Sequence, residues 1–237
     1  MPEKTLRVSQ KLEQARYLYR NGGLSGLLFA LAYKLINRFT RLYILRAVVI
    51  GFPEVNTAHL GKLQDYRYGF FTAEQMRPFT RDPVNDLTDE FLDYAAAKGD
   101  KCFAIIENGV LVNYCWNSLQ PTLIDADLQI EFDPAHYYRY KEYTRPSHRG
   151  RRLSSYNSAE SLNLLANSPK KGFAGYVEAD NYVSSRSLQR KNHRFVGFVV
   201  ALGRGSDPWI WHSPKARSWG FRVAIAGTQL QESKTIA

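Results

Sequence analysis

The stretch Tyr143-Thr-Arg-Pro-Ser-His-Arg-Gly-Arg-Arg-Leu-Ser-Ser155 reads as a strand end passing into a helix through a turn dense in arginine and glycine. Arg145-Pro146 stops the strand, because proline has no N–H to give and drives the residue before it out of helical φ/ψ. Amides that open a helix carry partial positive charge and point outward. A phosphate can be cradled there while Arg149, Arg151 and Arg152 add full charges.

Working outward, residues 102–107 and 110–116 form a hairpin, since Asn108-Gly109 supplies the positive φ angles of a type I′ turn. Ile124, Ala126, Leu128, Ile130 and Phe132 then alternate with Asp125, Asp127, Gln129, Glu131 and Asp133, the period-two pattern of a strand with one core face and one acidic face. Residues 137–144 make a further strand. Beyond the arginine turn, 153–167 carry helical spacing through Leu153, Tyr156, Leu162 and Leu165; 172–178 return to a strand, 181–191 read as a helix and 195–202 as a last core strand. The order after Gly99 is β-β-β-β-α-β-α-β, an α/β plan.

Toward the N-terminus, Leu24, Leu27, Leu28, Leu31, Leu35 and Phe39 recur at helical spacing, with Lys34, Arg38 and Arg41 on a basic side. This amphipathic helix either packs on the main domain or lies on an anionic membrane surface, with those three cations outward in both cases. Residues 42–50 are rich in β-branched residues and end at Gly51 and Pro53, a strand. Thr72-Ala-Glu-Gln and Asp86-Leu-Thr-Asp-Glu are helix openings, the second closed by Gly99. The division expected is a helical extension over 1–40 and one domain over 41–237.

With 237 residues, 44% of them hydrophobic and only two cysteines, the chain has material for a core and is neither a disordered nor a disulfide-stapled protein. Cys102 and Cys115 sit in strand-like runs and the five histidines are scattered, so no metal and a reduced, cytoplasmic protein are expected. The residues after Met1 do not resemble a secretory signal. The net charge of +10 is partitioned: residues 1–50 hold nine Lys/Arg and two Asp/Glu, 51–135 six and fourteen, and 136–222 sixteen and five. The acidic middle suits a cationic substrate and the basic ends an anion.

On Pro146, Arg149 and Gly150, the sequence resembles the GNAT superfamily of acyl-CoA-dependent N-acetyltransferases, specifically members of surface-polysaccharide biosynthesis, over roughly residues 102–202. Arg152 and Ser154 occupy the two small positions of the family's Gln/Arg-x-x-Gly-x-Gly/Ala turn. Arg152 either points away from the pyrophosphate or pairs with it. Asn181-x-x-Ser184, followed by Arg190-Lys191-Asn192-His193, is similar to the family's Asn-x-x-Ser…Lys-x-Gly-Phe helix, with Asn192 for glycine and His193 for phenylalanine. Leu188 stands where many members carry the tyrosine that protonates the departing thiolate.

The resemblance implies a mainly antiparallel central sheet flanked by helices, with acetyl-CoA as acyl donor and an amine on a small molecule, such as an amino sugar, as acceptor. The donor would lie against Tyr143, Thr144, Arg149, Gly150, Arg151, Arg152, Leu153 and Ser154, with Asn181 and Ser184 on the pantetheine arm. Glu142 and Glu178 are the candidate bases, Glu131 a third, and Tyr182 the substitute acid. A long-chain acyl-CoA or an acyl carrier protein is the variant donor, and a catalytically idle binding protein the other reading. The Tyr/Arg interleaving of residues 137–141 hints at nucleic acid, but no nucleic-acid motif accompanies it.

Overall fold

The computed structural model describes residues 2–52, 65–205 and 207–227, with side chains from Tyr19 onward apart from residue 21. Pro53, expected to end the first strand, lies outside the described residues. In chain order the elements are α1 (Pro2–Phe39), β1 (Leu42–Gly51), β2 (Tyr66–Phe71), α2 (Ala73–Met76), α3 (Asp89–Ala97), β3 (Lys101–Glu107), β4 (Val110–Ser118), β5 (Thr122–Leu123), β6 (Leu128–Glu131), β7 (His136–Thr144), α4 (Leu153–Leu165), β8 (Gly172–Glu178), α5 (Tyr182–Arg190), β9 (Arg194–Leu202), β10 (Trp209–His212), α6 (Pro214–Ser218) and β11 (Arg222–Ile225). The fold is mixed α/β, as expected, with a mostly antiparallel central sheet between helices.

Eight strands form that sheet in the order β10-β9-β1-β8-β7-β4-β3-β2, and only β7 and β8 run parallel. The hairpin of β3 and β4 turns on Asn108 (φ 49) and Gly109 (φ 81), the two positive angles its tight turn requires. Along β1, successive residues alternate between two cores. Leu45, Ala47 and Val49 join Leu128, Ile130, Tyr138 and Val223 on one face, while Ile50 packs with Leu162 and Phe173 on the other. The first face is covered by α6 and a small sheet ordered β11-β6-β5, with α2 and α3 packed further along over Cys102, Ala104 and Trp116. The second carries α4, through Leu153 and Leu162, and α1, whose Tyr33 hydroxyl accepts from the Ile44 N–H at 3.3 Å.

Three expectations give way. The strand expected over 124–132 shrinks to β6, because Asp125 Oδ1 accepts from the N–H groups of Asp127 and Leu128, both at 2.9 Å, and turns the chain there. Arg41 is not outward: it donates to Asp125 and Asp127 at 3.1 and 2.6 Å and to the Gly203 carbonyl at 2.8 Å. In α1, which kinks at Gly23 (φ 67), the buried side is Gly26, Ala30 and Tyr33, while Leu24, Leu28, Leu31 and Leu35 are exposed.

Gly172 takes φ 151 where β8 crosses β1, and a Cβ there would lie 2.0 Å from the Ile50 carbonyl oxygen. Gly69 has φ 154 with nothing within 4 Å of that position. Gly172→Ala should cost more than about 3 kcal/mol in denaturant unfolding, and Gly69→Ala only about 1 kcal/mol, so the difference reads the clash apart from the shared backbone strain. Equal costs would show that β1 moves aside freely.

Candidate functional site

The site begins with an irregularity in β7. Between the pairs Tyr114↔Tyr143 and Trp116↔Tyr140, β7 spends one residue more than β4, and Lys141 absorbs it at φ 46. Past this bulge β7 stays with β4. Asn113 Nδ2 donates to the Tyr143 carbonyl at 2.7 Å and to Thr144 Oγ1 at 2.8 Å, and the Arg145 N–H donates to the Val112 carbonyl at 2.9 Å. On its other side β7 leaves β8: their register ends at Arg139↔Gly175, while β8 continues to Glu178 alongside β1. The two strands splay, and a cleft of about 1380 Å³ opens between them.

One end of the cleft is the start of α4. Gly150 (φ 83) and Arg152 (φ 59) both adopt left-handed backbone, so Arg152 takes up a conformation ordinarily left to glycine. Arg152 is the N-cap and offers no side-chain cap, whereas Thr72, Thr88, Asn181 and Ser213 each cap their helices. The first-turn amides of α4 are therefore left without the usual side-chain acceptor. Arg149 folds back to donate from Nε to the Thr144 carbonyl at 3.3 Å. Tyr143, Thr144, Arg149, Gly150, Arg152, Leu153, Ser154, Asn181 and Ser184 all line the cleft. Arg151 does not; it reaches Glu107 at 3.4 Å with half of its side chain exposed.

Deeper in, a charged cluster that the sequence reading had not assembled crosses the gap. Lys191 Nζ donates to Ser154 Oγ at 2.8 Å and pairs with Glu142 at 3.5 Å, and the Ser154 hydroxyl also donates to Glu142. Burial would raise the Glu142 carboxyl's pKa, but Lys191, Arg139 and the Ser154 hydrogen bond outweigh it and hold the group below its usual value. Glu142 is thus ionised at neutral pH, and its lowered pKa works against the role of base expected of it. Lys191 is lowered by burial, with Glu142 opposing. His193 is pushed down to about 3 by burial and by Lys191 and Arg139, so its ring is neutral, and its buried Nδ1 has no hydrogen-bond partner. Arg139 donates to Asn157 at 2.6 Å and lies over the Phe173 ring at 4.8 Å. Asn157 in turn donates to Asn113 at 2.7 Å, tying α4 to β4. The chain reversal that delivers Lys191 and His193 is a Schellman closure of α5: Asn192 is left-handed at φ 64, and the N–H groups of Asn192 and His193 donate to the Gln189 and Leu188 carbonyls at 3.0 and 2.9 Å.

Glu178 stands on the opposite face of the sheet from Ser154. It pairs in register with Leu45, in the alternation that sends Tyr176 and Ala174 into the first core. Burial and the neighbouring Asp180 raise its pKa, which makes it the better proton acceptor of the two. Tyr182 is not in the cleft; its ring lies against Gly22 and Gly26 of α1, where added Cβ atoms would meet it at 3.2 Å. Glu131 pairs with Arg222 in the small sheet and lines no part of the cleft. Tyr138, in the stretch that hinted at nucleic acid, is 1% exposed and unavailable for stacking. Among the described residues no cluster of His, Cys, Asp and Glu could hold a metal.

No protein-family model matches the chain, and no curated protein is similar to it. Solved structures do share its chain path. A functionally unknown conserved protein from Staphylococcus epidermidis superposes with a TM-score of 0.50 at 9% identity, over 75% of this chain and 68% of that one. Structures of GNAT proteins are among those that superpose below that score. A tandem GNAT protein from the clavulanic acid biosynthesis pathway has a TM-score of 0.49 at 12% identity over 78% of this chain, and a GCN5-related N-acetyltransferase from Kribbella flavida has 0.46 at 13% over 75%. This chain spans only 54% and 64% of the length of those two. None of these proteins is linked by name to surface polysaccharide.

The neutral His193 gives the cleft an acid sensitivity whose sign is fixed. Its folded-state pKa of about 3 lies below the ordinary 6.5, so the unfolded chain takes the proton first, and stability falls as pH drops from about 6.5 toward about 3. At about pH 5 the loss relative to neutral pH is about 2 kcal/mol from this group. His193→Phe should abolish that part of the loss in urea unfolding at the two pH values. A variant that loses as much as the unmutated chain would show that the folded state accepts the proton.

Proposed function

We propose that this chain is an acyl-CoA-dependent N-acyltransferase acting on an amine of a small molecule. The observation that carries the reading is the splay of β7 from β8, with the uncapped start of α4 at its mouth. A diphosphate suits that mouth, because first-turn amides, Arg149 and Arg152 converge there. The cleft is lined by six Lys/Arg (Arg139, Lys141, Arg149, Arg152, Arg190 and Lys191) against Glu142 and Glu178, a balance made for a polyanion. The extended arm of the donor would run along the unpaired edge of β7, past Asn181 and Ser184.

Transfer requires the amine nitrogen to attack the thioester carbon, the carbon–sulfur bond to break and one proton to leave the nitrogen. Glu178, with its raised pKa, is the acceptor for that proton, directly or through a water. It sits with Tyr176 and Tyr140 on the face opposite α4, so donor and acceptor would enter the splay from opposite sides of the sheet. The neighbouring Asp180 favours a cationic amine on that side. Burial of Tyr176 pushes its hydroxyl up to about 12, leaving it protonated and able to donate where Leu188 offers nothing. An amino sugar is the acceptor suggested by the sequence resemblance, and acetyl the acyl group.

Calorimetric titration with coenzyme A is the direct test, and absence of binding at millimolar ligand would overturn the reading. Arg149→Ala should weaken binding by about 1.5–3 kcal/mol, the range for a hydrogen bond to a charged group. Arg152→Gly keeps the left-handed backbone and removes one charge, so a smaller loss that shrinks with added salt is expected.

For turnover, Glu178→Gln should lower kcat by roughly 100- to 10,000-fold and flatten the acid limb of the pH profile. Glu142→Gln should act chiefly on coenzyme A affinity and stability. The reverse pattern would return the base to Glu142.

A further inference from the structure

From the way α1 is held on the domain, we infer that the chain docks on an anionic lipid bilayer through the outer face of that helix. The inference is independent of the acyltransferase reading. Five apolar side chains follow one another along the helix at spacings of three or four residues, and all are exposed: Leu24 63%, Leu28 58%, Leu31 54%, Leu35 60% and Phe39 79%. Single exposed leucines are ordinary on a soluble protein; a continuous row on one helix face is not.

The row is not the result of a loosely attached helix. Gly22 and Gly26 abut the Tyr182 ring closely enough that a Cβ at either would stand 3.2 Å from it, Ala30 and Tyr33 are buried, and the Leu42 N–H donates to Asn37 at 2.9 Å. Arg41, clamped by Asp125, Asp127 and Gly203, fixes the chain just past its end. The helix thus spends its small and polar side on the fold and leaves its leucine side over, the reverse of a helix whose apolar stripe serves the core.

Charge selects the occupant. Arg20, Lys34 and Arg38 are exposed along the flank of the apolar row. No aspartate or glutamate occurs between Glu13 and Glu54. A row of leucines with basic flanks and no acids is the pattern of a helix lying in the headgroup region of an anionic leaflet. On the same sheet face, beside α1, Trp209 and Trp211 of β10 are exposed in register with Leu202 and Val200 of β9, and Trp211 lies against Phe198 at 5.3 Å between ring centroids. Exposed tryptophans favour that same interfacial depth. Among the described residues no helix is long and apolar enough to cross the bilayer, so the contact is one of lying on it.

The test is co-sedimentation of the full chain with vesicles of phosphatidylcholine alone, or with one third of the lipid replaced by phosphatidylglycerol. Binding to the anionic vesicles should exceed that to the neutral ones by at least about tenfold. Leu28→Gln with Leu35→Gln should abolish it while keeping every charge and, since both positions are exposed, the melting temperature. Lys34→Glu with Arg38→Glu should abolish it as well. Equal binding to both vesicle types would overturn the inference. So would undiminished binding of the leucine variant, which would mean diffuse adsorption of a basic protein. A solution dimer that the leucine variant dissociates would overturn it too, by assigning the face to a second copy of the chain.

Discussion

A strand can pair on both edges only while its residue count keeps step with both neighbours, and β7 loses step at Lys141. Having spent an extra residue there, it must choose, and Asn113 and the Val112 carbonyl hold it to β4. Everything at the site follows from that choice. The edge of β7 facing β8 is released, β8 stays paired with β1 to Glu178, and the gap between them becomes the slot. The long walls of such a cleft are strands, and the turn before α4 closes only one end of it.

The slot is an expensive place to put charges, and the chain fills it with several. Lys191, Glu142, Arg139, Asn157, Asn113 and Ser154 lean on one another for hydrogen bonds beside a neutral His193. Partnered, such a network specifies one arrangement; without Glu142, the nearly inaccessible Lys191 ammonium would lose its ion-pair partner. Orphaned polar atoms such as His193 Nδ1 mark where the packing was not arranged for stability alone.

Much of the central sheet was legible because its signals are local. The Asn108-Gly109 turn, the proline after Arg145 and the alternation through 137–144 and 172–178 each act over a few residues, and β3, β4, β7, α4, β8, α5 and β9 appear close to where those signals place them. What was not legible depends on distant partners. The acidic residues at 125 and 127 look like one face of a strand until Arg41 and Tyr43 arrive from far along the chain to claim them. Tyr182 looks available until α1 covers it. Arg139 and Lys191 are ordinary cations in the sequence and meet only because the splay brings α4 and α5 to one gap. The apolar spacing of residues 24–39 does make a helix, but periodicity cannot say which side of a helix the rest of the molecule will use.

The place of β1 bears on how the chain reaches this state during synthesis. It lies between β8 and β9, and its pairing partners are separated from it by the whole span from β2 to β7. At about 5–20 residues per second, roughly ten seconds pass on the ribosome between the emergence of Leu-Tyr-Ile-Leu-Arg-Ala-Val-Val-Ile and that of the strands which flank it. Through that interval an apolar, β-branched segment has two empty edges, the condition under which nascent chains stick to one another. Long-range pairing of this kind also slows the final closure of the sheet. In a chain so ordered, the interval before β8 and β9 exist is the stage of folding most exposed to aggregation, however stable the finished sheet.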